Sequence, residues 1–265
     1  MEGTISELLS LDGRSALVTG GATGIGEGIA RVLHAAGAHV TIADIDMAGA
    51  ARVAASIDGE AVHLDVTDPE SAAAGVAGLS AVDVLVNNAG SYHEAGSILD
   101  QSPQSWQRSI AINLASVFNC AKPFAKRLVA EGKGGAIVNV ASVDGLLPCL
   151  GSGYDSAKAG VIHMTRSLAL DLAPHGIRVN GIAPGYVLVE TLEKMHRGEL
   201  EPLWPNPSSV TGLMGPMMKQ RSSNIPLGRG GTPEEMGYAV LFLCSPLSRY
   251  VIGQTIGVDG GWTLV

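Results

Sequence analysis

Tyr154 and Lys158 stand four positions apart in GYDSAKAG, a spacing that puts both side chains on one face of a helix. A phenol with a reference pKa of about 10 is a poor base at neutral pH. A neighbouring ammonium favours the phenolate, so the pair predicts a tyrosine of lowered pKa. Such a tyrosine gives a proton to a carbonyl being reduced, or takes one from an alcohol being oxidised. The hydride in that reaction must come from a cofactor. Alone, a Tyr/Lys pair at this spacing is common on solvated helices; the residues around it decide its meaning.

Ser142 ends the run GAIVNVAS. At the carboxyl end of a strand its hydroxyl would face the crevice where open α/β sheets bind ligands, and could hold the substrate oxygen as charge develops. The bland alternative is a serine that ends a strand. Asn113 sits in SIAINLAS, inside a helical stretch where its propensity is poor. A buried amide there needs partners, either water or a backbone carbonyl, or serves as a structural bond at a helix break.

The cofactor signal lies near the amino end. TGGATGIG, residues 19–26, follows an apolar run and opens a helical one. Missing side chains at Gly20, Gly24 and Gly26 allow a tight turn and a close approach to a pyrophosphate, with Thr23 and Ile25 between them. The helix amino end adds free N–H donors and positive dipole. Asp44 follows the next apolar run, 24 residues after Gly20. An acid at that place accepts hydrogen bonds from the ribose hydroxyls and repels the extra phosphate of NADP. Ile45 follows it, and the glycine-rich turn holds neither Arg nor Lys, so the spacing favours NAD. Asp65 and Val66 close a third apolar run. The Asp65 carboxylate could face adenine, or it could cap the turn into a helix starting near Asp68 and Pro69.

These residues are placed by an alternating series of elements. Strands are predicted at 15–19, 38–43, 61–66, 82–88, 135–142 and 177–184, with a short one in IGVDG near the end. Helical stretches fall between them: EGIARVLHAAG at 27–37, 48–55, 69–78, 103–130 with a break, 154–172, and EEMGYAVLFLC. Apolar strands separated by helices predict an α/β fold, a Rossmann-type doubly wound parallel sheet flanked by helices, in one domain spanning 1–265. Residues 188–226 break the rhythm, with five Pro and several Met, and are expected to form a substrate lid. Its Met195, Leu203, Trp204, Leu213, Met214, Met217 and Met218 predict a substrate with an apolar portion.

The composition bounds the rest. The chain has 265 residues, 46% of them hydrophobic and 16% charged, with 35 Gly, a globular profile. The net charge is −8 and the basic residues form no block, which argues against a nucleic-acid or anionic-membrane partner. Cys120, Cys149 and Cys244 fit neither a zinc site nor a disulfide framework, and no metal is expected. The absence of a long apolar run and of a signal-peptide pattern predicts a cytoplasmic protein.

Taken together, TGGATGIG at 19–26, DVTD at 65–68, NNAG at 87–90, Asn113, Ser142, Tyr154 with Lys158, NGIAPG at 180–185 and the closing PLGRGGTPEEMGYAVLFLC…IGVDGG segment closely resemble the short-chain dehydrogenase/reductase family over nearly the full chain. The resemblance implies that Tyr154 is the general acid/base and that Ser142 positions the substrate oxygen. Lys158 would hold the nicotinamide ribose, and Asn113 would retain a water linking Lys158 to a proton relay. It also implies that Asn87, Ala89 and Gly90 line the cofactor and support the sheet, and that Pro184, Gly185 and Val187 pass beside the nicotinamide. A homotetramer, built partly through the two long helices and the carboxyl-terminal segment, is the implied assembly. Two departures stand out: Ser142 and Tyr154 are twelve positions apart, where thirteen is common in the family, and Val189 occupies the place of a usual Thr, which Thr191 could replace.

The leading expectation is an NAD(H)-dependent dehydrogenase of a secondary alcohol, or reductase of its ketone. A 3-oxoacyl thioester reductase and a sugar or polyol dehydrogenase are the alternative enzymes, and an NAD-binding sensor without turnover is the non-enzymatic one.

Overall fold

The computed structural model describes residues 3–94, 96–99, 101–190 and 224–265. Seven parallel strands form one sheet: β1 (Ser15–Thr19), β2 (His39–Asp44), β3 (Glu60–His63), β4 (Val84–Asn87), β5 (Gly135–Val140), β6 (Ile177–Pro184) and β7 (Thr255–Val258). Their order is β3-β2-β1-β4-β5-β6-β7. The chain therefore reverses its winding between β1 and β4, and an open α/β sheet forms its ligand crevice at such a point, beyond the carboxyl strand ends.

Eight α-helices accompany the sheet among the described residues: α1 (Ile5–Leu9), α2 (Gly24–Ala35), α3 (Met47–Ser56), α4 (Pro69–Ala77), α5 (Pro103–Ile110), α6 (Ser116–Ala130), α7 (Ser152–Leu172) and α8 (Pro233–Cys244). Alternate strand residues feed two cores. On one face Ala16, Val18, Val86 and Val138 pack with Ile29 and Leu33 of α2 and Val240 of α8. On the other, Leu17, Leu85 and Ile137 pack with Phe124 and Leu128 of α6. Both faces being covered explains why the strands read as continuous apolar runs.

Several boundaries differ from the sequence expectation. The third strand ends at His63 rather than at 66. Asp65 turns the chain there, its Oδ1 accepting from the Thr67 amide at 2.8 Å and the Thr67 hydroxyl at 2.7 Å. Asp68 then caps α4 through the Glu70 amide, with Pro69 in the first turn. The break expected within 103–130 is a π-helical turn over Ala111–Ala115, which holds Asn113. Helix α1 has no counterpart in the sequence reading. It is one short turn, closed by a reciprocal box between Thr4 and Glu7.

Candidate active site

A cavity of about 740 Å3 lies at the carboxyl ends of the strands, beside the point of reversal. Gly20, Thr23, Gly24, Ile25, Gly26, Asp44, Asp65, Val66, Ala89, Gly90, Ser142, Tyr154, Lys158, Pro184, Gly185 and Val187, all expected at the site, line it. Two expected residues do not.

One end of the cavity is built by the turn between β1 and α2. Gly20 has a φ of +63° and packs so closely on Ala89 that a Cβ would lie 2.8 Å from the Ala89 Cα. A Cβ on Gly26 would collide with the Gly20 carbonyl oxygen. The turn is thus held at its tightest by glycine alone. Thr23 precedes α2 without closing it by a side-chain hydrogen bond, whereas Asp46, Asp68 and Ser102 close α3, α4 and α5. The first amides of α2 face a cradle suited to an anion. Asp44, the last residue of β2, stands at the far side of this cradle. Its Oδ2 accepts from the Ala22 amide at 3.1 Å and its Oδ1 from the Asp46 amide at 3.0 Å. These bonds fix the carboxylate at the cavity rim beside Ile45. Arg52 reaches the Ala22 carbonyl at 2.9 Å, but its charge is met by Glu27 at 2.7 Å and it does not line the cavity.

The other end is built where β5 meets α7. Lys158 is buried, donates to the Val140 carbonyl at 3.0 Å and lies over the Tyr154 ring, 5.6 Å from its centroid. Burial pulls its ammonium down to about 8, with Asp144 opposing. Ser142 acts on the Tyr154 phenol in the opposite sense to burial, favouring the phenolate. Ser142 accepts from the Asp144 amide at 3.1 Å and donates to Asp144 Oδ2 at 3.0 Å.

The sequence predicts a lowered Tyr154 pKa, and the structure reverses that expectation. Burial raises the phenol above its ordinary value, and the Asp144 carboxylate raises it further. The same burial that brings Lys158 beside the ring also weakens its charge, so the ammonium does not dominate the local field.

Asn87 and Asn113 are the two expected residues that do not line the cavity. Asn87 is buried within β4 and away from the cavity wall, and donates to Asn139 Oδ1 at 2.9 Å. Asn139 in turn donates to the Thr165 hydroxyl at 2.9 Å, so a polar link ties β4 and β5 to α7. Its neighbour Asn88 faces the cavity instead, and its amide clamps the Thr19 and Gly20 carbonyls, each at 2.9 Å. β4 ends at Asn87, so Asn88 begins the turn beyond the strand, and NNAG alone did not mark that boundary. The Asn113 amide accepts from the Ser91 N–H at 3.0 Å and donates to the Ser91 and Ser109 carbonyls at 2.7 and 3.1 Å. It pins the segment after β4. Gly90 fills the gap beside it, since a Cβ there would lie 2.9 Å from Asn113 Oδ1 and 3.2 Å from Lys158 Nζ.

Sequence reasoning missed Tyr92, Asp144, Leu150, Tyr186 and Trp262, which complete the wall near Tyr154. Of the expected lid, Val189 lines the cavity and Ile225 packs with Val143 and Trp262. Residues 191–223, including Thr191, Met195, Leu203, Trp204, Leu213, Met214, Met217 and Met218, lie outside the described residues.

A family model described as enoyl-(acyl carrier protein) reductase matches residues 20–263. Galactitol 2-dehydrogenase (L-tagatose-forming) of Cereibacter sphaeroides is 38% identical over 267 residues, covering 96% of each chain. A short-chain type dehydrogenase/reductase from Mycobacterium marinum has the same fold, with a TM-score of 0.85, 33% identity, and coverage of 99% of this chain and 100% of that one. A 7α-hydroxysteroid dehydrogenase solved with NADH and a 7-oxo bile acid gives a TM-score of 0.82 at 31% identity, with 98% of each chain covered. Another solved relative, from Agrobacterium tumefaciens, holds NADP. The chain belongs to the short-chain dehydrogenase/reductase family. It is an oxidoreductase that uses a nicotinamide dinucleotide on alcohol and carbonyl groups of small molecules. The glycine-rich turn, the open amino end of α2 and the Asp44 carboxylate fit the pyrophosphate and ribose of that cofactor at one end of the cavity, with Tyr154 at the other.

Proposed function

We propose that the chain is an NAD(H)-dependent dehydrogenase of a secondary alcohol with an apolar portion, reversible to the ketone. The observation that carries the choice of cofactor is Asp44, fixed at the end of β2 by two backbone amides. A carboxylate so held accepts from ribose hydroxyls and opposes a phosphate in the same place. When bound, the nicotinamide supplies the acceptor or donor of hydride. Lys158 has three donors and spends one on Val140, leaving others for the ribose beside the nicotinamide. Ser142 fixes the substrate oxygen. Tyr154 takes the hydroxyl proton in oxidation and returns it in reduction. Asn113 holds the Ser91 segment in place beside Lys158 and serves the proton path there.

Pro184, Gly185 and Val187 would face the nicotinamide, and a substrate lid over 188–226 is supported by Val189 lining the cavity and Ile225 packing on Val143 and Trp262. We further read the assembly as a homotetramer, supported by exposed Phe118 on α6, Leu170 on α7 and Leu264 at the carboxyl end. The cytoplasm is its compartment on this reading, in keeping with the buried Cys120 and Cys244 thiols; no helix among the described residues is long and apolar enough to cross a membrane.

Steady-state kinetics with both dinucleotides test the cofactor assignment. NAD should exceed NADP in kcat/KM by at least about tenfold, since like charges oppose the second phosphate. Asp44→Ala should narrow that ratio. A native preference for NADP contradicts it.

A further inference from the structure

A guanidinium backs the glycine-rich turn from outside the cavity wall. Arg52 stands in the second turn of α3, the helix that follows Asp44. Its Nη2 donates to the Ala22 carbonyl at 2.9 Å, and the Ala22 amide donates to Asp44 Oδ2 at 3.1 Å. Guanidinium and carboxylate therefore flank one residue of the turn and stand within about 10 Å of each other, given the span of a single residue's backbone. A carboxylate placed like Asp44 meets the ribose hydroxyls of a dinucleotide, and the extra phosphate of NADP would take the same place. Among the described residues that line the cavity, Lys158 is the one Lys or Arg, and it lies at the chemical end. A phosphate beside Asp44 would need a cation from outside the wall, and Arg52 is placed to supply it.

Glu27 holds Arg52 back. It lies in the first turn of α2 and meets the guanidinium with both oxygens: Nη1 donates to Oε1 at 3.2 Å and Nη2 to Oε2 at 2.7 Å. Two parallel bonds make the strong form of an Arg–carboxylate pair. Arg31, one turn further along α2, donates to the same Oε1 at 2.7 and 3.1 Å. The Arg52 bond, with Arg31 adding to it, keeps the Glu27 carboxyl below the ordinary carboxylate range. The Arg52 side chain is 55% exposed and that of Glu27 21%, so the carboxylate is the anchored member and the arginine the one able to swing once released. The charges of Glu190 and Asp46 act on Arg52 in the same sense as Glu27, but more weakly.

We propose that Glu27 completes the choice of dinucleotide by holding Arg52 away from the place of the 2′-phosphate. Two carboxylates then exclude NADP by different means: Asp44 repels the phosphate, and Glu27 occupies the cation that would bind it. This rests on the NAD reading above and deepens it. Glu27 is a positioning residue that acts through Arg52.

The test measures Kd for NAD and for NADP by calorimetry on the full chain, with kcat/KM alongside. The ratio of the two Kd values is the readout, because a purely structural Glu27 would weaken both dinucleotides together and leave that ratio unmoved. In the native background, Glu27→Gln should change the ratio by no more than about threefold, since Asp44 still opposes the phosphate. In the Asp44→Ala background the same substitution should shift it toward NADP by about tenfold or more, the value of a charge-assisted hydrogen bond from the released Arg52. Adding Arg52→Gln to that double variant should return the ratio to within about threefold of Asp44→Ala. The pair Asp44→Ala and Arg52→Gln, with Glu27 in place, should bind both dinucleotides as Asp44→Ala does, and it keeps the test decisive if Glu27→Gln does not fold. Equal shifts from Glu27→Gln in the two backgrounds, no shift in either, or a loss of NADP affinity in the Glu27-intact pair overturns the proposal and leaves the NAD reading standing. Tighter binding of NADP than of NAD by the native protein overturns both.

Discussion

The buried Lys158 and the partly buried Tyr154, with opposed tendencies, define the chemistry at the residue scale. Burial lifts the Tyr154 phenol above its ordinary value and lowers the Lys158 ammonium to about 8. Tyr154 is therefore protonated at neutral pH and ready to donate in ketone reduction, while alcohol oxidation needs the phenolate. Oxidation should accelerate as pH rises through the alkaline range and reduction should not, which parallel pH profiles of the two directions will show. The Lys158 shift also makes a stability prediction. Its folded pKa lies below the ordinary 10.5, so between pH 8 and 10.5 the unfolded chain binds the extra proton and the native state gains stability as pH rises. A drop of this size corresponds to about 3 kcal/mol of cost near neutrality. Relative to Lys158→Met, the native protein should become more stable between those limits, as denaturation at several pH values will measure. A constant gap would show that Lys158 is not desolvated in the native state.

At the scale of elements, loop and helix ends do the positioning. The β1–α2 turn closes only because Gly20 and Gly26 leave no Cβ between themselves and the backbone they touch. Gly26→Ala should lower stability by about 1–3 kcal/mol, the range for overpacking, and weaken dinucleotide binding more than substrate binding, measured by calorimetry and kinetics. Normal affinity and stability would mean the turn is not tight. Behind the site, the Asn87–Asn139–Thr165 link crosses from β4 to α7. Asn139→Ala strands the buried Asn87 amide, while the Thr165 hydroxyl keeps its bond to the Val161 carbonyl, and should cost about 1–3 kcal/mol in denaturant unfolding. An unaffected transition would mean that water takes over the link.

Much of this was legible in the sequence. The strand–turn–helix pattern located Gly20, Gly24, Gly26 and Asp44, and the spacing of Tyr154 and Lys158 located the chemical end. What the sequence did not reveal depends on tertiary placement. Trp262 and Tyr186 reach the wall from the end of the chain and from the segment after β6. Tyr92 reaches it from the segment that Asn113 pins. The direction of the Tyr154 shift follows from burial and from Asp144, and no spacing encodes either one. Asn88 lies one position from Asn87, but β4 ends between them, so one faces the cavity and the other stays buried in the sheet.

The whole molecule places a cofactor cradle and a proton-transfer pair at two ends of one cavity, at the reversal of a parallel sheet. Its outer helices leave Phe118 48% exposed and Leu170 75% exposed, apolar surface that a second copy would cover. Light scattering should give a mass of four chains of 27.1 kDa, and Phe118→Glu should shift it toward smaller species. A native monomer would remove the tetramer. The central claim, that this chain takes hydride from a secondary alcohol with Tyr154 receiving the proton, meets its most direct test in one absorbance assay. NAD and a panel of secondary alcohols are mixed with the native enzyme and with Tyr154→Phe, and reduced nicotinamide is followed with time. The native enzyme should produce it on at least one alcohol, and Tyr154→Phe should be slower by about a hundredfold or more while still binding NAD. Equal rates in the two proteins at every pH would contradict the account.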